Sequence, residues 1–242
     1  MSATKLQVET AYDYDASLHY DSRRFSSPQG QLFNRLETEQ LNKALVLCPL
    51  TAEVLEIGCG SGRFTSVVAS TGRKITALEP SDFMIDIAVQ RCQNYPNVSF
   101  VKGEGRHLPV NSRAFDFVFA IRVLNQTQSV DYALATVEEM IRVAKPGGIV
   151  LVEFCNYYRP RFKTTKAVRL KLDEIIQVVL ASYPRAQLDC AGILALSETV
   201  LQKTPGCLLR LYEAVDRDIS TIASSVAARI YLTIKLPPFS VG

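Results

Sequence analysis

Val54-Leu55-Glu56-Ile57-Gly58-Cys59-Gly60-Ser61-Gly62-Arg63-Phe64-Thr65 packs a strand, a glycine turn and the start of a helix into one segment. Glu53–Ile57 reads as a short apolar strand, and Phe64–Ser70 reads as a helix closed by Gly72. Between them three glycines let the chain turn sharply and let a ligand approach without a Cβ in the way.

Downstream the same rhythm repeats. Lys74–Leu78 is a second strand ending at Glu79-Pro80, Asp82–Cys92 a helix, Val98–Val101 a third strand and Phe115–Ile121 an almost wholly apolar fourth. Val130–Val143 is a helix, Lys145-Pro146-Gly147-Gly148 a turn, and Ile149–Phe154 a fifth strand. Strands separated by helices imply right-handed crossovers and a parallel, doubly wound sheet. Upstream, residues 31–47 read as a helix ended by Pro49, behind a polar, Tyr- and Asp-rich segment over 1–30. After Phe154 the reading gives a helix over Lys166–Ala181, a sixth strand over Gln187–Leu196 and a helix over Leu208–Ser220. Ala227–Leu236 alternates strictly and is stopped by Pro237-Pro238, which predicts the last strand.

Composition bounds the function. The chain has 242 residues, 48% of them hydrophobic, which is ample for a buried core. Its 27 basic residues against 24 acidic ones leave a net charge of +3, too small an excess to predict nucleic-acid binding. The six cysteines show no C-x-x-C spacing, and several sit in apolar runs where a thiol acts as a small hydrophobe, so neither a disulfide framework nor a metal site is expected. No apolar run approaches the ~20 residues that span a bilayer. A polar first segment is no signal peptide, so the expected location is the cytoplasm.

The glycine loop has two competing readings. A dinucleotide fingerprint needs G-x-G-x-x-G, whereas Gly58, Gly60 and Gly62 fall at G-x-G-x-G. Glu56 would repel a pyrophosphate and attract an ammonium. Glu79, at the end of the second strand, is placed to accept hydrogen bonds from ribose hydroxyls.

With these residues the chain resembles the class I S-adenosylmethionine-dependent methyltransferases. The glycine segment looks like their first motif, Ala77-Leu78-Glu79-Pro80-Ser81-Asp82-Phe83-Met84 their second, and Gly103-Glu104-Gly105-Arg106-His107-Leu108-Pro109-Val110 the segment after the third strand. Phe115-Asp116-Phe117-Val118 resembles the start of the fourth strand, and Arg142-Val143-Ala144-Lys145-Pro146-Gly147-Gly148 the turn before the fifth. The likeness covers roughly residues 50–155 and is nearest to the ubiquinone/menaquinone and other small-molecule methyltransferases.

The resemblance implies an α/β, Rossmann-like, seven-stranded fold, with the last strand antiparallel beside the fifth. Residues 1–48 would form an N-terminal helical lid and 49–242 the methyltransferase domain, with 156–225 supplying the substrate pocket. Glu56, Gly58, Cys59, Gly60 and Gly62 would hold the methionine moiety, and Glu79 the ribose. Pro80 and Met84 would pack on ribose or adenine, and Glu104 with Gly105 would contact the adenine. Ile121 would lie near the reactive methyl, and Tyr20 would close from the lid. Glu104 stands for the family's commoner Asp and Gly105 for Ala, which implies a shifted adenine pocket.

The implied activity is methyl transfer to O, N or C of a small organic acceptor, releasing S-adenosylhomocysteine, with no metal and no nucleic-acid partner. A protein or RNA methyltransferase would want a basic groove or an extra module, and a non-catalytic cofactor-binding regulator would keep the cofactor motifs without turnover. His19, Arg122 and Asn125 are the candidate catalytic or acceptor-side groups. Arg122 suits a substrate carboxylate or phosphate, or a structural ion pair. The aromatic N-terminal segment reads as a lid or as an interface between copies.

Overall fold

The computed structural model describes residues 24–159 and 167–238. Seven strands form one sheet in the order β3-β2-β1-β4-β5-β7-β6. β1 (Glu53–Ile57), β2 (Lys74–Glu79), β3 (Val98–Lys102), β4 (Phe115–Ala120) and β5 (Ala144–Cys155) run parallel. β7 (Arg229–Lys235) is a strand, as its alternation predicts, and it runs antiparallel beside β5, as the family likeness implies, with β6 (Gln187–Ile193) on its other side.

Side chains alternate across the central strands and build two cores. Val118, Ala120, Val150 and Val152 face the helix α4 (Val130–Val143) and α5 (Leu172–Ser182). Phe117, Phe119, Leu151 and Tyr231 face α1 (Pro28–Leu45) and α2 (Arg63–Ala69). The other α-helices among the described residues include α3 (Asp82–Cys92), α6 (Glu198–Lys203) and α7 (Leu209–Ile222). None of the described helices is long and apolar enough to cross a membrane.

Several boundaries differ from the sequence reading for local reasons. α1 starts at Pro28 rather than 31, because the Ser27 hydroxyl accepts the Gly30 N–H at 3.1 Å and Pro28 suits the first turn. Its Leu32, Phe33, Leu36 and Leu41 sit in the same apolar cluster as Val54 of β1 and Phe117 of β4. The expected division at 48/49 therefore does not separate two packing units, and α1 is a core helix rather than part of a lid. The Lys145–Gly148 turn lies inside β5: Phe115 pairs with Ala144 but Phe117 with Ile149, so the extra residues form a bulge with Gly147 at φ +77°. α5 begins at Leu172 rather than 166, because Leu170 bridges to Asn156 and the Glu174 carboxylate accepts the Lys171 N–H at 3.0 Å. β6 stops at Ile193 because the Asp216 carboxylate of α7 takes the Leu194 and Leu196 N–H groups at 2.9 and 2.8 Å.

Strand order reverses between β1 and β4, and ligands in open α/β sheets bind at such a point, beyond the carboxyl ends of the strands. A cleft opens there. Its walls come from the loops after β1, β2, β3 and β4, the placing expected of a small-molecule site in such a sheet.

Candidate active site

The floor of the cleft is the β1–α2 loop. Glu56 lies at 2% exposure, and its carboxylate accepts the Thr65 hydroxyl at 2.5 Å. Burial pushes its pKa up to about 8, against the Thr65 bond and the Arg63 charge, with the Glu79 charge adding to the rise. Gly58 has φ +69°, and a Cβ there would meet Val123 at 2.6 Å, so only glycine fits. The Gly58 and Cys59 N–H groups both donate to Leu78 O, which ties the loop to the end of β2. Gly60 faces open space.

The three glycines are not equivalent. Gly62 caps α2 at φ +76°, and a Cβ there would press on Ala88 of α3 at 3.0 Å. It does not line the cleft; its smallness lets two helices approach.

Glu79 ends β2 with its carboxylate buried. One oxygen accepts the Gly60 N–H at 3.0 Å and the other the Ser81 N–H at 3.2 Å. Burial raises its pKa, opposed by those two bonds. A carboxylate has about four acceptor positions, so two stay available to ligand hydroxyls. Pro80 and Met84 line the cleft beside it.

Glu104 guards the far end. Its carboxylate accepts the Tyr132 hydroxyl at 3.3 Å and pairs with Arg106 at 3.3 Å, while the Arg106 guanidinium lies 5.0 Å from the Tyr132 ring centre. The extra methylene that distinguishes Glu from Asp thus spans to the first turn of α4. Gly105 has its own reason: a Cβ would meet Thr136 Cγ2 at 2.9 Å. His107 is exposed and stands outside the cleft wall.

The loop after β4 forms the opposite wall, through Ile121, Arg122, Val123, Gln126, Thr127 and Gln128. Arg122 holds φ +64°, a conformation costing an L-residue roughly 1–2 kcal/mol. Its N–H donates to Glu153 Oε2 at 2.7 Å, and its carbonyl accepts the Gln126 amide at 2.5 Å. Its side chain enters a buried ion cluster: Arg122 Nη1 lies 3.2 Å from Glu37 Oε1, Arg63 Nη2 lies 2.7 Å from Glu37 Oε2, and Arg229 Nη1 lies 2.5 Å from Glu153 Oε1. Phe33 lies between Arg122 and Arg229, 4.9 and 5.7 Å from its ring centre. Burial raises the Glu37 pKa, countered by Arg63 and Arg229.

Glu56, Gly58, Cys59, Gly60, Glu79, Pro80, Met84, Glu104, Gly105 and Ile121 therefore converge on one cleft. Gly62 falls outside it. Asn125 points its Oδ1 into a buried, unpartnered position away from the cleft wall, and its carbonyl accepts the Val168 N–H. His19 and Tyr20 lie outside the described residues. None of the described residues in 156–225 lines this cleft. Asn156 is instead a clamp, its amide donating to Ser225 O and Ala227 O at 2.7 and 2.9 Å. Sequence reasoning missed Arg63, Phe64 and Tyr132 as lining residues. Arg63 follows the last glycine directly, and Tyr132 opens the helix after β4, so both positions were available as signals.

Residues 55–152 match the family model described as a methyltransferase domain. The demethylmenaquinone methyltransferase of Tropheryma whipplei is 32% identical over 124 residues, which cover 51% of this chain and 49% of that protein. The chain thus spans about half the length of the curated relatives it matches. Among solved structures, magnesium protoporphyrin IX methyltransferase from Synechocystis PCC 6803 with bound S-adenosylhomocysteine superposes with a TM-score of 0.65 at 15% identity, covering 94% of this chain and 98% of that one. The cyclase SpnF superposes with a TM-score of 0.63 at 19% identity, covering 87% and 84%. The structural likenesses concern the fold.

Proposed function

We propose that the chain, whose residues 55–152 match the methyltransferase-domain family, is a class I methyltransferase that binds S-adenosylmethionine in this cleft and transfers its methyl group to a small organic acceptor. One observation carries the reading. Glu56, Glu79 and Glu104 stand along a single cleft, the first two at the carboxyl ends of β1 and β2 and the third just beyond β3. The cofactor presents three matching donors: an ammonium, a ribose diol and an adenine amine.

In this reading Glu56 takes the ammonium, while the Gly58–Gly60 backbone lets the methionine tail lie close. Glu79 accepts the ribose hydroxyls on the lone pairs that Gly60 and Ser81 leave. Glu104, held by Tyr132 and Arg106, accepts the adenine amine. The methyl then faces Ile121 and the loop that follows it. Alignment of nucleophile, methyl and sulfur at near-attack distance is the main catalytic demand. We propose no metal for this step. Tyr20, ahead of the described residues, is the proposed closing contact.

Calorimetry with S-adenosylhomocysteine tests the cofactor reading, and turnover of labelled S-adenosylmethionine on a panel of small acceptors tests the transfer. Binding that Glu79→Ala weakens by two orders of magnitude is the expected result. No binding by the wild type would sink the proposal, and binding without turnover on any acceptor would leave a cofactor-binding regulator.

A further inference from the structure

The cleft exists because two neighbouring strands diverge at their ends. β1 and β4 pair side by side, yet the chain after β1 turns into α2 on one face of the sheet and the chain after β4 leads to α4 on the other. Ladder hydrogen bonds stop where the strands stop, so none of them fixes how far apart the two walls stand. The glycine loop with Arg63 forms one wall, and Ile121, Arg122 and Val123 form the facing one. Val123 packs against Gly58 where the walls meet, which limits their approach but does not resist spreading.

One side chain spans the gap from behind. Glu37 sits on α1, outside the alternation of strands and helices, and is fully buried. Its Oε2 lies 2.7 Å from Arg63 Nη2, and its Oε1 lies 3.2 Å from Arg122 Nη1. Each wall thus gives one guanidinium to one oxygen of a single carboxylate. Both arginines are held elsewhere too. Arg63 donates to Asn34 Oδ1 and lies against the rings of Phe25 and Phe64, 4.6 and 3.8 Å from their centres. The Arg122 N–H goes to Glu153 Oε2, and its φ of +64° is left-handed. Stability alone explains the bridge poorly. Buried ion pairs are often matched by apolar side chains of similar size, because desolvation cancels most of their attraction. Phe33, Leu36 and Leu41 of α1 already pack in an apolar cluster, so an all-apolar contact was open to this site. A carboxylate adds fixed distance and direction to two partners at once. The strained Arg122 backbone fits that role, since strain persists where the surrounding contacts over-determine a geometry.

We infer that Glu37 is a positioning residue for the methyl-transfer site: by bridging Arg63 and Arg122 it sets the spacing of the two walls between which the cofactor's methionine tail lies. The inference rests on the cofactor reading and deepens it. Glu37 itself does not line the cleft. Its effect falls on the ligand's tail and spares the adenosine end, which Glu79, Pro80, Met84 and Glu104 hold from other loops.

The test compares two ligands on the full chain by calorimetry. S-adenosylhomocysteine carries the amino-acid tail, and 5′-methylthioadenosine keeps the adenine, ribose and sulfur without it. Glu37→Gln can accept from only one of the two guanidiniums. It is expected to weaken S-adenosylhomocysteine about tenfold and 5′-methylthioadenosine by no more than about twofold. Glu37→Asp keeps the charge that both arginines need but is one methylene too short to reach both. It is expected to show the same selective loss, and it carries the test if Glu37→Gln does not fold. Arg122→Lys is expected to weaken S-adenosylhomocysteine by a similar factor alone and no further in the Glu37→Asp background, because both changes cut one bridge. Equal losses for the two ligands would mean a general loosening of the fold and would overturn the inference. So would unchanged S-adenosylhomocysteine affinity in folded Glu37→Asp, or additive losses in the double variant. Failure of the wild type to bind S-adenosylhomocysteine strikes the cofactor reading, and this inference with it, whereas the other adverse outcomes strike the inference alone.

Discussion

Glu56 supplies a quantitative test of how the cleft takes its ligand. In the empty protein burial lifts its carboxyl to about 8. At pH 7 such a group is about 90% protonated, so a ligand whose ammonium needs the carboxylate must expel about 0.9 of a proton on binding. If the ammonium returns Glu56 to its ordinary range, affinity should climb roughly 70-fold between about pH 5.5 and 7.5, where the ligand's own ammonium stays charged.

Calorimetry of S-adenosylhomocysteine in buffers of different ionisation heat reads both the slope and the proton count. Glu56→Gln should flatten the slope and cost about 10- to 100-fold at the upper pH, the size expected for a lost charged hydrogen bond. The same shift acts on the empty fold with opposite sign. The unfolded chain ionises Glu56 near its model value of 4.5, whereas the folded chain keeps the proton up to about 8. Its contribution to stability is therefore complete below that lower value and is lost as pH rises toward the upper one, and Glu56→Gln should remove that decline. An affinity constant within about twofold across the range, with buffer-independent heats, would refute the ammonium–Glu56 contact.

Three further outcomes follow from the geometry. Gly62→Ala should lower the thermal midpoint by about 4–10 °C, since it forces a left-handed alanine against Ala88, yet leave S-adenosylhomocysteine affinity within a few-fold because Gly62 stands outside the cleft. Asn156→Ala strips the clamp from two carbonyls and should destabilise by about 2–3 kcal/mol in urea unfolding, with no selective effect on cofactor binding. Tyr132→Phe frees Glu104 and should weaken S-adenosylhomocysteine by about fivefold while hardly touching S-inosylhomocysteine, which lacks the amine. Equal losses for both ligands would remove Glu104 from adenine recognition.

The sheet and the cofactor wall were readable because their signals are local. An apolar strand, a glycine turn and an acid at a strand end each fall within a few consecutive residues, and topology brings β1, β2 and β4 to the same edge. What escaped depends on contacts between distant segments. Glu37 looks like an ordinary polar position on an amphipathic helix, and only the packed fold sets it between Arg63 and Arg122. Gly58, Gly60 and Gly62 are identical letters, distinguished only by what their missing side chains would strike. Asn156 follows a strand as a binding residue would, and its partners lie some seventy residues on, at Ser225 and Ala227. The start of α5 was misplaced because a bridge from Asn156 to Leu170 keeps the chain extended past an apparently helical stretch.

The insertion of β7 between β5 and β6 has a consequence for how the molecule is made. Both neighbours precede it in the chain, so on the ribosome β5 and β6 emerge with open edges facing a gap that nothing yet fills. Each offers a row of unpaired backbone groups until residues 229–235 arrive and pair with both at once. Closing that gap joins segments some eighty residues apart, a non-local step of the kind that slows folding. The interval before it is when the nascent chain is most exposed to misassociation, and shielding by a chaperone would matter most there.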